Sequence, residues 1–418
     1  MKLTELFTKT IKDVPAGEVS KNAQLLIRAG FVHKEIAGVY TWLPLGLKVL
    51  ENVCQIIREE MDAVGGQEMK LTTLQDPSIW ETTDRWDDDK VDVWFKTRLK
   101  NGSELGLGPT HEEPLVRAAS QFINSYKDLP FLAYQIQTKF RNETRAKSGV
   151  LRGREFLMKD MYSFARTEAE HEELYEKIKQ AYFKIFERLG IGEQTFLTFA
   201  SGGMFSQFSH EFQTVCDAGE DKVYLSKSKQ LAVNEEVMND EVLNQLELKR
   251  EELEEVTAAE VGNIFTLKDK FSKPLGLNFT DQDGKEHPVL MGCYGIGPSR
   301  LVGVIVELLA DDQGMVWPEA IAPSQVHIVS LHREIGDDVH KSAEALYQKL
   351  QAQNVDVIWD DRLEVRAGEK FADADLFGVP HRVTISAKTV EAEKVEYKMR
   401  TAGDATLLSE SDLLAKFS

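Results

Sequence analysis

The residues with the clearest chemical potential are the cationic side chains between positions 139 and 166. This segment holds eight basic and three acidic residues, so its net charge is +5. We expect an anionic ligand here, because clustered guanidinium groups bind carboxylates and phosphates in fixed, bidentate geometry. The sequence contains no Gly-x-x-x-x-Gly-Lys-Ser/Thr loop. A nucleoside triphosphate would therefore have to be held by arginine side chains.

Two further motifs give weaker signals. Gly295-x-Gly297-x-x-Arg300 matches half of a dinucleotide-binding fingerprint, but arginine replaces the third glycine, and the fingerprint requires a whole βαβ unit. The glycines would still let the backbone approach a ligand closely. Ser209, His210 and Glu211 are sequence neighbours, and neighbours seldom assemble a catalytic triad. A hydrogen-bonding histidine in a pocket wall or core is the favoured interpretation.

Composition and charge are typical of a globular protein. The 418 residues allow two or three domains. A net charge of −19 argues against nucleic-acid binding by electrostatics alone, although a local basic site stays open. Cys54, Cys216 and Cys293 are too far apart to indicate a disulfide framework or a zinc ribbon. No apolar stretch reaches the roughly 18 residues of a membrane span, so we expect a cytoplasmic protein with no membrane contact.

Hydrophobic periodicity predicts the elements that must position these residues. A three- and four-residue repeat from 50 to 64 predicts a helix that ends at the following glycine pair. Alternation over 69–73 predicts a short strand. Apolar patterns over 132–140 and 156–162 predict two strands that flank the basic loop. Such strands favour an antiparallel sheet that holds a ligand on its uncovered face.

The second half of the chain divides into three segments. Residues 231–260 carry ten acidic and two basic residues, and their spacing predicts an exposed acidic helical connector. A short strand over 288–293 and a helix over 301–309 follow. Beyond 323, alternating strands and helices predict a separate domain with parallel strand pairing.

Five short sequences in fixed order narrow the interpretation. They are GPTHEE at 108–113, QIQTKFR at 135–141, REFLMKD at 154–160, SHEF at 209–212 and MGCYGIG at 291–297. The second and last resemble motifs 2 and 3 of class II aminoacyl-tRNA synthetases. Together the five closely resemble the bacterial-type prolyl-tRNA synthetases, and the similarity continues to the GVPH sequence at 378–381.

The resemblance implies a two-part architecture. Residues 1–320 would form an α+β class II synthetase catalytic domain, an antiparallel sheet flanked by helices, and 321–418 a C-terminal α/β anticodon-binding domain. Motifs 1, 2 and 3 would lie at about 47–80, 132–164 and 288–309. The acidic connector, at about 217–260, would replace an inserted editing domain.

The resemblance also implies a reaction, in which proline and ATP form prolyl-adenylate and the prolyl group then passes to tRNA. Arg141 would bind the α-phosphate and the proline carboxylate, and Arg300 the γ-phosphate. Glu143 would accept from the adenine amino group, and Arg152 would close over the nucleotide. The other implied positions are Ser299 for ATP, and Thr110, Glu112, Tyr162, His210, Cys293 and Gly295 for proline. Glu112 would meet the cationic imino group.

Partners follow from the same resemblance. Magnesium would accompany ATP, with Glu211 as a tentative ligand and a buried structural role for this residue as an equal alternative. Arg145 and Lys147 are candidates for the tRNA acceptor end. Candidates for the anticodon are Arg362, Arg366, Lys370, Arg382 and Lys388. The family also implies a homodimer.

Three positions depart from the family pattern. Thr72 stands where motif 1 normally ends in proline, at the dimer interface. Asn263 replaces a usual histidine, and Pro298 belongs to a Pro-Ser pair that replaces Val-Thr. The last two are expected near the nucleotide, so they could alter the affinity for ATP.

The short connector leaves no room for editing in cis. A proline pocket rejects the smaller alanine by only about 1–3 kcal/mol per methylene, so we expect some mischarging and a separate deacylase acting in trans. A non-catalytic synthetase paralogue that binds tRNA or protein is one alternative, although Arg141, Glu143 and Arg300 are all present. A synthetase for threonine or histidine is another.

Overall fold

The computed structural model describes residues 1–14, 17–144, 146–201 and 208–417. Two compact units result. The larger comprises residues 35–39 and 53–304, and the other comprises 1–34, 40–52 and 305–418. In the described part of the chain no helix is both long and apolar enough to cross a bilayer. Cys54, Cys216 and Cys293 are all buried.

Helices and strands are interspersed along the described part of the chain. The helices are α1 (Lys21–Arg28), α2 (Pro44–Ala63), α3 (Pro77–Thr82), α4 (Glu112–Ala119), α5 (Glu168–Arg188), α6 (Asp240–Gln245), α7 (Pro298–Leu309), α8 (Asp338–Ala352), α9 (Ala367–Phe377), α10 (Ala387–Glu391) and α11 (Glu410–Ala415). The strands of the first 201 residues are β1 (Val32–Ile36), β2 (Val39–Trp42), β3 (Gly66–Glu68), β4 (Leu74–Gln75), β5 (Phe95–Arg98), β6 (Glu104–Leu107), β7 (Phe131–Phe140), β8 (Glu155–Ala165) and β9 (Thr195–Ser201). The later strands are β10 (Phe208–Val215), β11 (Asp221–Ser226), β12 (Leu231–Asn234), β13 (Glu254–Lys268), β14 (Asn278–Thr280), β15 (Glu286–Pro288), β16 (Leu290–Ile296), β17 (Val326–Ser330), β18 (Val357–Asp360), β19 (His381–Ile385), β20 (Val395–Met399) and β21 (Thr406–Leu408).

A large sheet forms the centre of the larger unit. Among the described residues its strand order is β10-β9-β12-β11-β13-β16-β8-β7-β3, with a further β10–β13 pairing. Its pairings are antiparallel except β3–β7 and β9–β12. The antiparallel sheet that the sequence predicted is therefore confirmed, and β7 and β8 flank the basic loop as expected.

Strand register aligns residues from three distant segments. Gly295 on β16 lies opposite Asp160 on β8 and Asn263 on β13. Successive side chains of a strand point to opposite faces, so the residues of β8 alternately face the cavity and the protein core. Asp160 lines a cavity, whereas Lys159 donates to the Tyr182 hydroxyl of α5 at 2.6 Å.

The smaller unit contains a five-stranded sheet of order β18-β17-β19-β20-β21. β17 pairs in parallel with β18 and β19, which confirms the parallel pairing expected beyond residue 323. β20 and β21 add antiparallel pairings that the sequence did not predict. Leu346 and Leu350 of α8 are fully buried in the apolar core of this sheet.

Two sequence predictions are wrong. Residues 69–73 are not a strand, since the strand after α2 is β3 and precedes them. The segment 231–260 is not an exposed helical connector. It contains β12, the six-residue α6 and the start of β13, because Val233, Val242 and Leu243 enter an apolar cluster with Phe199. The sequence pattern of this segment is dominated by acidic residues, so it did not reveal the apolar positions that anchor the segment.

Candidate active site

Two adjoining cavities lie on the large sheet. The arginine cavity is lined by Arg141, Glu143, Arg152, Glu260, Asn263, Gly295, Ser299 and Arg300, among others. The carboxylate cavity is lined by Arg85, Thr110, Glu112, Arg141, Asp160, Cys293 and Gly295, among others. Arg141 and Gly295 contribute to both. Four of the five motif sequences therefore contribute to one continuous site with a cationic half and an anionic half, whereas SHEF at 209–212 lines neither cavity.

Gly295 keeps the junction between the two cavities open. A Cβ atom at this position would lie 2.8 Å from Oδ1 of Asn263, which is closer than real Cβ contacts. Asn263 is itself fixed, since its Nδ2 donates to Glu260 Oε1 at 2.8 Å. A larger side chain at 295 would therefore fill the passage between the cavities.

Arg141 occupies the junction at the end of β7. Its Nε donates to the backbone oxygen of Pro109 at 3.3 Å, and its guanidinium lies 5.3 Å from the centre of the Phe156 ring. Burial and the nearby Arg300 cation both lower the pKa of Arg141. An anion bound between the two guanidinium groups would relieve this repulsion.

Arg300 is held at the first turn of α7. Its Nε donates to the backbone oxygen of Leu151 at 2.8 Å, and its Nη1 donates to that of Glu260 at 2.6 Å. The Ser299 hydroxyl accepts from the backbone N–H of Leu157 at 3.2 Å. Ser299 therefore ties the start of α7 to β8, and this contact fixes the position of Arg300.

Arg152 bridges two carboxylates at the mouth of the arginine cavity. Its Nη2 donates to Glu143 Oε2 at 2.8 Å, and its Nη1 donates to Glu220 Oε2 at 2.6 Å. Lys147 lies 3.4 Å from the other oxygen of Glu220. The carboxylate of Glu143, the expected partner of adenine, is thus paired within the protein.

Glu112 is the buried acid of the carboxylate cavity. It begins α4, and its side chain is fully buried. The Thr110 hydroxyl oxygen lies 2.7 and 2.9 Å from the two carboxylate oxygens, and the Cys293 thiol donates at 3.4 Å. A carboxylate in low dielectric at a helix N-terminus can bind a cationic amine.

Asp160 lines the same cavity but carries its own counterion. Lys139 Nζ donates to Asp160 Oδ1 at 2.6 Å, and Gln135 Nε2 donates to Oδ2 at 3.0 Å. Burial alone would raise the pKa of Asp160, yet the Lys139 charge and these hydrogen bonds lower it. The Lys139 cation therefore neutralises Asp160 inside the protein.

Tyr162 and His210 lie beside the cavities. Among the described residues, neither contributes to the two cavity walls. Tyr162 donates to Asp160 Oδ2 at 2.9 Å and accepts from the backbone N–H of His111 at 3.2 Å. His210 Nδ1 lies 2.8 Å from the Tyr175 hydroxyl, and burial lowers the pKa of His210 to about 4. Tyr162 is thus placed to orient Asp160, and His210 stays neutral.

A second group of carboxylates lies beyond the arginine cavity. Gln213 Nε2 donates to Glu211 Oε2 at 2.9 Å and to Asp221 Oδ2 at 2.7 Å. Burial, and then the negative charge of Glu260, raise the pKa of Glu211 to about 8. A divalent cation would relieve this crowding. In the described ranges no group of three or more histidine, cysteine, aspartate or glutamate side chains is arranged to hold a metal ion. A magnesium ion bound to Glu211 would take its other ligands from water and phosphate.

The candidate residues for RNA contact differ in how exposed their side chains are and in whether they are paired within the protein. Arg145 lies outside the described residues. Lys370 is 2% exposed and donates to the backbone oxygen of Ser330 at 2.8 Å. Arg362 donates to Asp360 and Asp373 at 2.6 and 2.8 Å. Lys370 therefore holds the strand ends of the smaller unit together, and its ammonium is not open to RNA.

Sequence reasoning missed four charged residues of the site: Arg85, Lys139, Asp160 and Glu260. Lys139 and Asp160 stand inside quoted motif sequences, and their positions on adjacent strands were available as a signal. Arg85 lies in an exposed-looking acidic segment, where nothing local indicates burial. Glu260 was counted as part of the acidic connector, although it accepts from Asn263 within the cavity wall.

Two protein-family models match this chain. Residues 95–308 match the tRNA synthetase class II core domain (G, H, P, S and T), and residues 325–418 match the anticodon binding domain family. A proline–tRNA ligase of Zymomonas mobilis subsp. mobilis is 37% identical over 99% of this chain and 97% of its own. One from Xanthobacter autotrophicus is 37% identical over 100% and 99%.

A solved structure shares the fold. It is the prolyl-tRNA synthetase of Cryptosporidium parvum in complex with L-proline and AMP, with a TM-score of 0.76 and 18% identity. The match covers 94% of this chain and 73% of that one. Fold, site and sequence relatives lead to the same conclusion: the chain belongs to the proline–tRNA ligase family of class II aminoacyl-tRNA synthetases.

Proposed function

We propose that this chain activates L-proline with ATP and transfers the prolyl group to tRNA(Pro). The observation that carries the proposal is Arg141, which stands between a cavity with a buried carboxylate and a cavity with further arginines. The names of the sequence relatives support the same activity. A non-catalytic paralogue would have no use for guanidinium groups aimed at transition-state charge.

The two cavities suit the first reaction step. Glu112 would hold the proline imino cation, and Arg141 would hold the proline carboxylate beside the α-phosphate. One carboxylate oxygen attacks the α-phosphorus, a P–O bond forms, and pyrophosphate leaves. Arg141 opposes the repulsion between the two reacting anions, and Arg300 and Arg152 are near enough to take the remaining phosphates. Positioning and charge therefore supply the catalysis.

In the second step a ribose hydroxyl of the tRNA terminus attacks the carbonyl carbon of prolyl-adenylate, and its proton passes to the phosphate of the departing AMP. AMP leaves with the bonding electrons of the mixed anhydride. Lys147, on the loop between β7 and β8, is 59% exposed in its side chain and could contact the acceptor end. The residues that match the anticodon binding domain family support a second RNA contact.

Magnesium fits the carboxylates next to the arginine cavity. Glu211 and Glu260 would hold it. Their carboxylates are close enough for the negative charge of Glu260 to raise the pKa of Glu211, and a cation between them would offset that repulsion. The ion would neutralise phosphate charge when ATP is bound. This assignment gives Glu211 the ligand role rather than the purely structural one.

The remaining proposals concern assembly, location and accuracy. We propose a cytoplasmic homodimer.

We also propose that the chain does not edit in cis. The segment 217–260 is filled by strands of the large sheet and by the short α-helix α6, so it leaves no room for an editing domain. The chain also spans nearly the full length of its curated relatives. Alanine mischarging would then be corrected by a separate deacylase.

Amino-acid-dependent ATP–pyrophosphate exchange tests the proposed function. Proline, alanine, threonine and histidine are compared on the purified protein, with Arg141→Ala as the control. Proline is expected to drive exchange best, alanine weakly, and the substitution to reduce the rate by at least about a hundredfold. No exchange with any amino acid, from folded protein that still binds tRNA, would favour the non-catalytic paralogue.

A further inference from the structure

Two adjacent glutamates and one arginine form a buried cluster in the wall of the carboxylate cavity. Arg85 Nη1 donates to Glu113 at 2.9 Å (Oε1) and 3.0 Å (Oε2), and to Glu112 Oε2 at 3.3 Å. The side chain of Arg85 is 8% exposed, and both glutamates are completely buried. Burial of this much charge is costly unless each group has a defined partner.

The packing fixes where the Arg85 cation lies. Its guanidinium carbon is 5.2 Å from the centre of the Trp80 ring and 5.1 Å from that of Phe271. Thr83 donates to Glu113 Oε1 at 2.8 Å, while the Thr110 hydroxyl lies 2.7 Å from Glu112 Oε2, the oxygen that Arg85 also contacts. Arg85 therefore pairs mainly with Glu113, and its contact with Glu112 is the longer of the two.

Charge accounting then isolates one carboxylate. Asp160 is neutralised by Lys139 at 2.6 Å, with both side chains buried. With both glutamates ionised, Arg85, Glu112 and Glu113 together carry a net charge of −1. Lys270 is also near: burial and the Arg85 charge lower its pKa, while the charges of Glu112 and Glu113 raise it, and its side chain is exposed to water, which weakens its effect on the cluster. The cluster of Arg85, Glu112 and Glu113 thus places one net negative charge beside the cavity, at Glu112.

We propose that Arg85 is a positioning residue for the substrate amine: it neutralises Glu113, holds Glu112 in place, and so leaves Glu112 to bind one cationic amine. This inference rests on the proposed function, because it takes an amino acid as the ligand. Loss of Arg85 would leave two adjacent buried carboxylates without their common counterion. Loss of the Glu113 charge would direct Arg85 entirely to Glu112.

A double-mutant cycle separates this role from a general effect on folding. The variants are Arg85→Gln, Glu113→Gln and the combination of both. Each single change alters the net charge of the cluster, whereas the combination restores it to −1. The apparent KM values for proline and ATP are measured by ATP–pyrophosphate exchange, and folding is checked by thermal unfolding.

Each single variant is expected to raise the KM for proline by about tenfold or more, because a hydrogen bond to a charged group is disturbed. The KM for ATP is expected to stay within about twofold, since neither residue lines the arginine cavity. The double variant is expected to return the KM for proline to within about threefold of the wild type. Arg117→Gln is the matched control, because this arginine pairs with Asp76 at the surface and its side chain is 60% exposed.

Additive effects in the double variant, or equal increases in both KM values, would overturn the role of Arg85. If Arg85→Gln does not fold, Glu113→Gln decides by itself, and a wild-type KM for proline in that variant would refute the proposal. Wild-type protein without proline-dependent exchange would count against the proposed function instead. In that case calorimetric titration of proline into the same variants tests the cluster, and no proline binding by the wild type would overturn it.

Discussion

The two halves of the site satisfy their charges in different ways. In the carboxylate cavity, Lys139 neutralises Asp160 and Arg85 neutralises Glu113, through bonds between buried side chains. In the arginine cavity, Arg141 and Arg300 repel one another, and Arg152 is paired with two carboxylates at the surface. The carboxylate cavity, the proposed amino-acid half, therefore has most of its buried charges paired before a ligand binds, whereas the arginine cavity, the proposed nucleotide half, would gain its main counterions from ATP.

This difference has a consequence for how the halves respond to substitution. Removal of one partner from a buried pair leaves an uncompensated charge in low dielectric and destabilises the fold. Removal of one partner from an exposed pair changes little except ligand binding. Three variants test the contrast, and they run from the largest expected effect to the smallest.

Lys139→Met is expected to have the largest effect. Lys139 is fully buried and its Nζ lies 2.6 Å from Asp160, so its loss should lower the free energy of unfolding by about 3–5 kcal/mol. Chemical denaturation measures this change. Lys139→Met combined with Asp160→Asn should recover much of the loss, and failure to recover would show that charge pairing is not what Lys139 supplies.

Glu211→Gln is expected to have an intermediate effect on the nucleotide half. The variant removes one of the proposed magnesium ligands and relieves the crowding with Glu260, so we expect a more stable protein that needs about tenfold more Mg²⁺ for half-maximal exchange. Magnesium titrations of exchange, alongside thermal unfolding, measure the two effects. Glu236→Gln is the control, because Glu236 is an exposed acid of the segment 231–260. An unchanged Mg²⁺ requirement would leave Glu211 with a structural role only.

Glu220→Gln is expected to have the smallest effect. Its carboxylate pairs with Arg152 and Lys147, whose side chains are 43% and 59% exposed, so stability should change by less than about 1 kcal/mol. Release of Arg152 should lower the KM for ATP by a few-fold at most, with no change in the KM for proline. A large loss of stability would contradict the view that the nucleotide half is loosely paired.

The motif residues and the main strands could be predicted from the sequence, because their signals are local. Alternation identified β7, an apolar stretch identified β8, and the cluster of basic residues marked the loop between them, which contributes Arg141 and Arg152 to the arginine cavity. Longer-range features could not be predicted. The segment 231–260 was misread as a helical connector because its acidic residues dominate the pattern, while Val233 and Leu243 bury themselves against a distant strand. Arg85 was missed because its partners lie 27 and 28 positions away.

By itself, the sequence determined which chemical groups are present and in what order, and the motif sequences were enough to identify the family. Only the tertiary structure decided how those charges are shared. Lys139 could neutralise Asp160 or face a ligand, and Arg85 could lie on the surface or beside Glu113. Strand register and burial settle such choices, because the energy of a charge depends on which groups surround it and how much water they exclude.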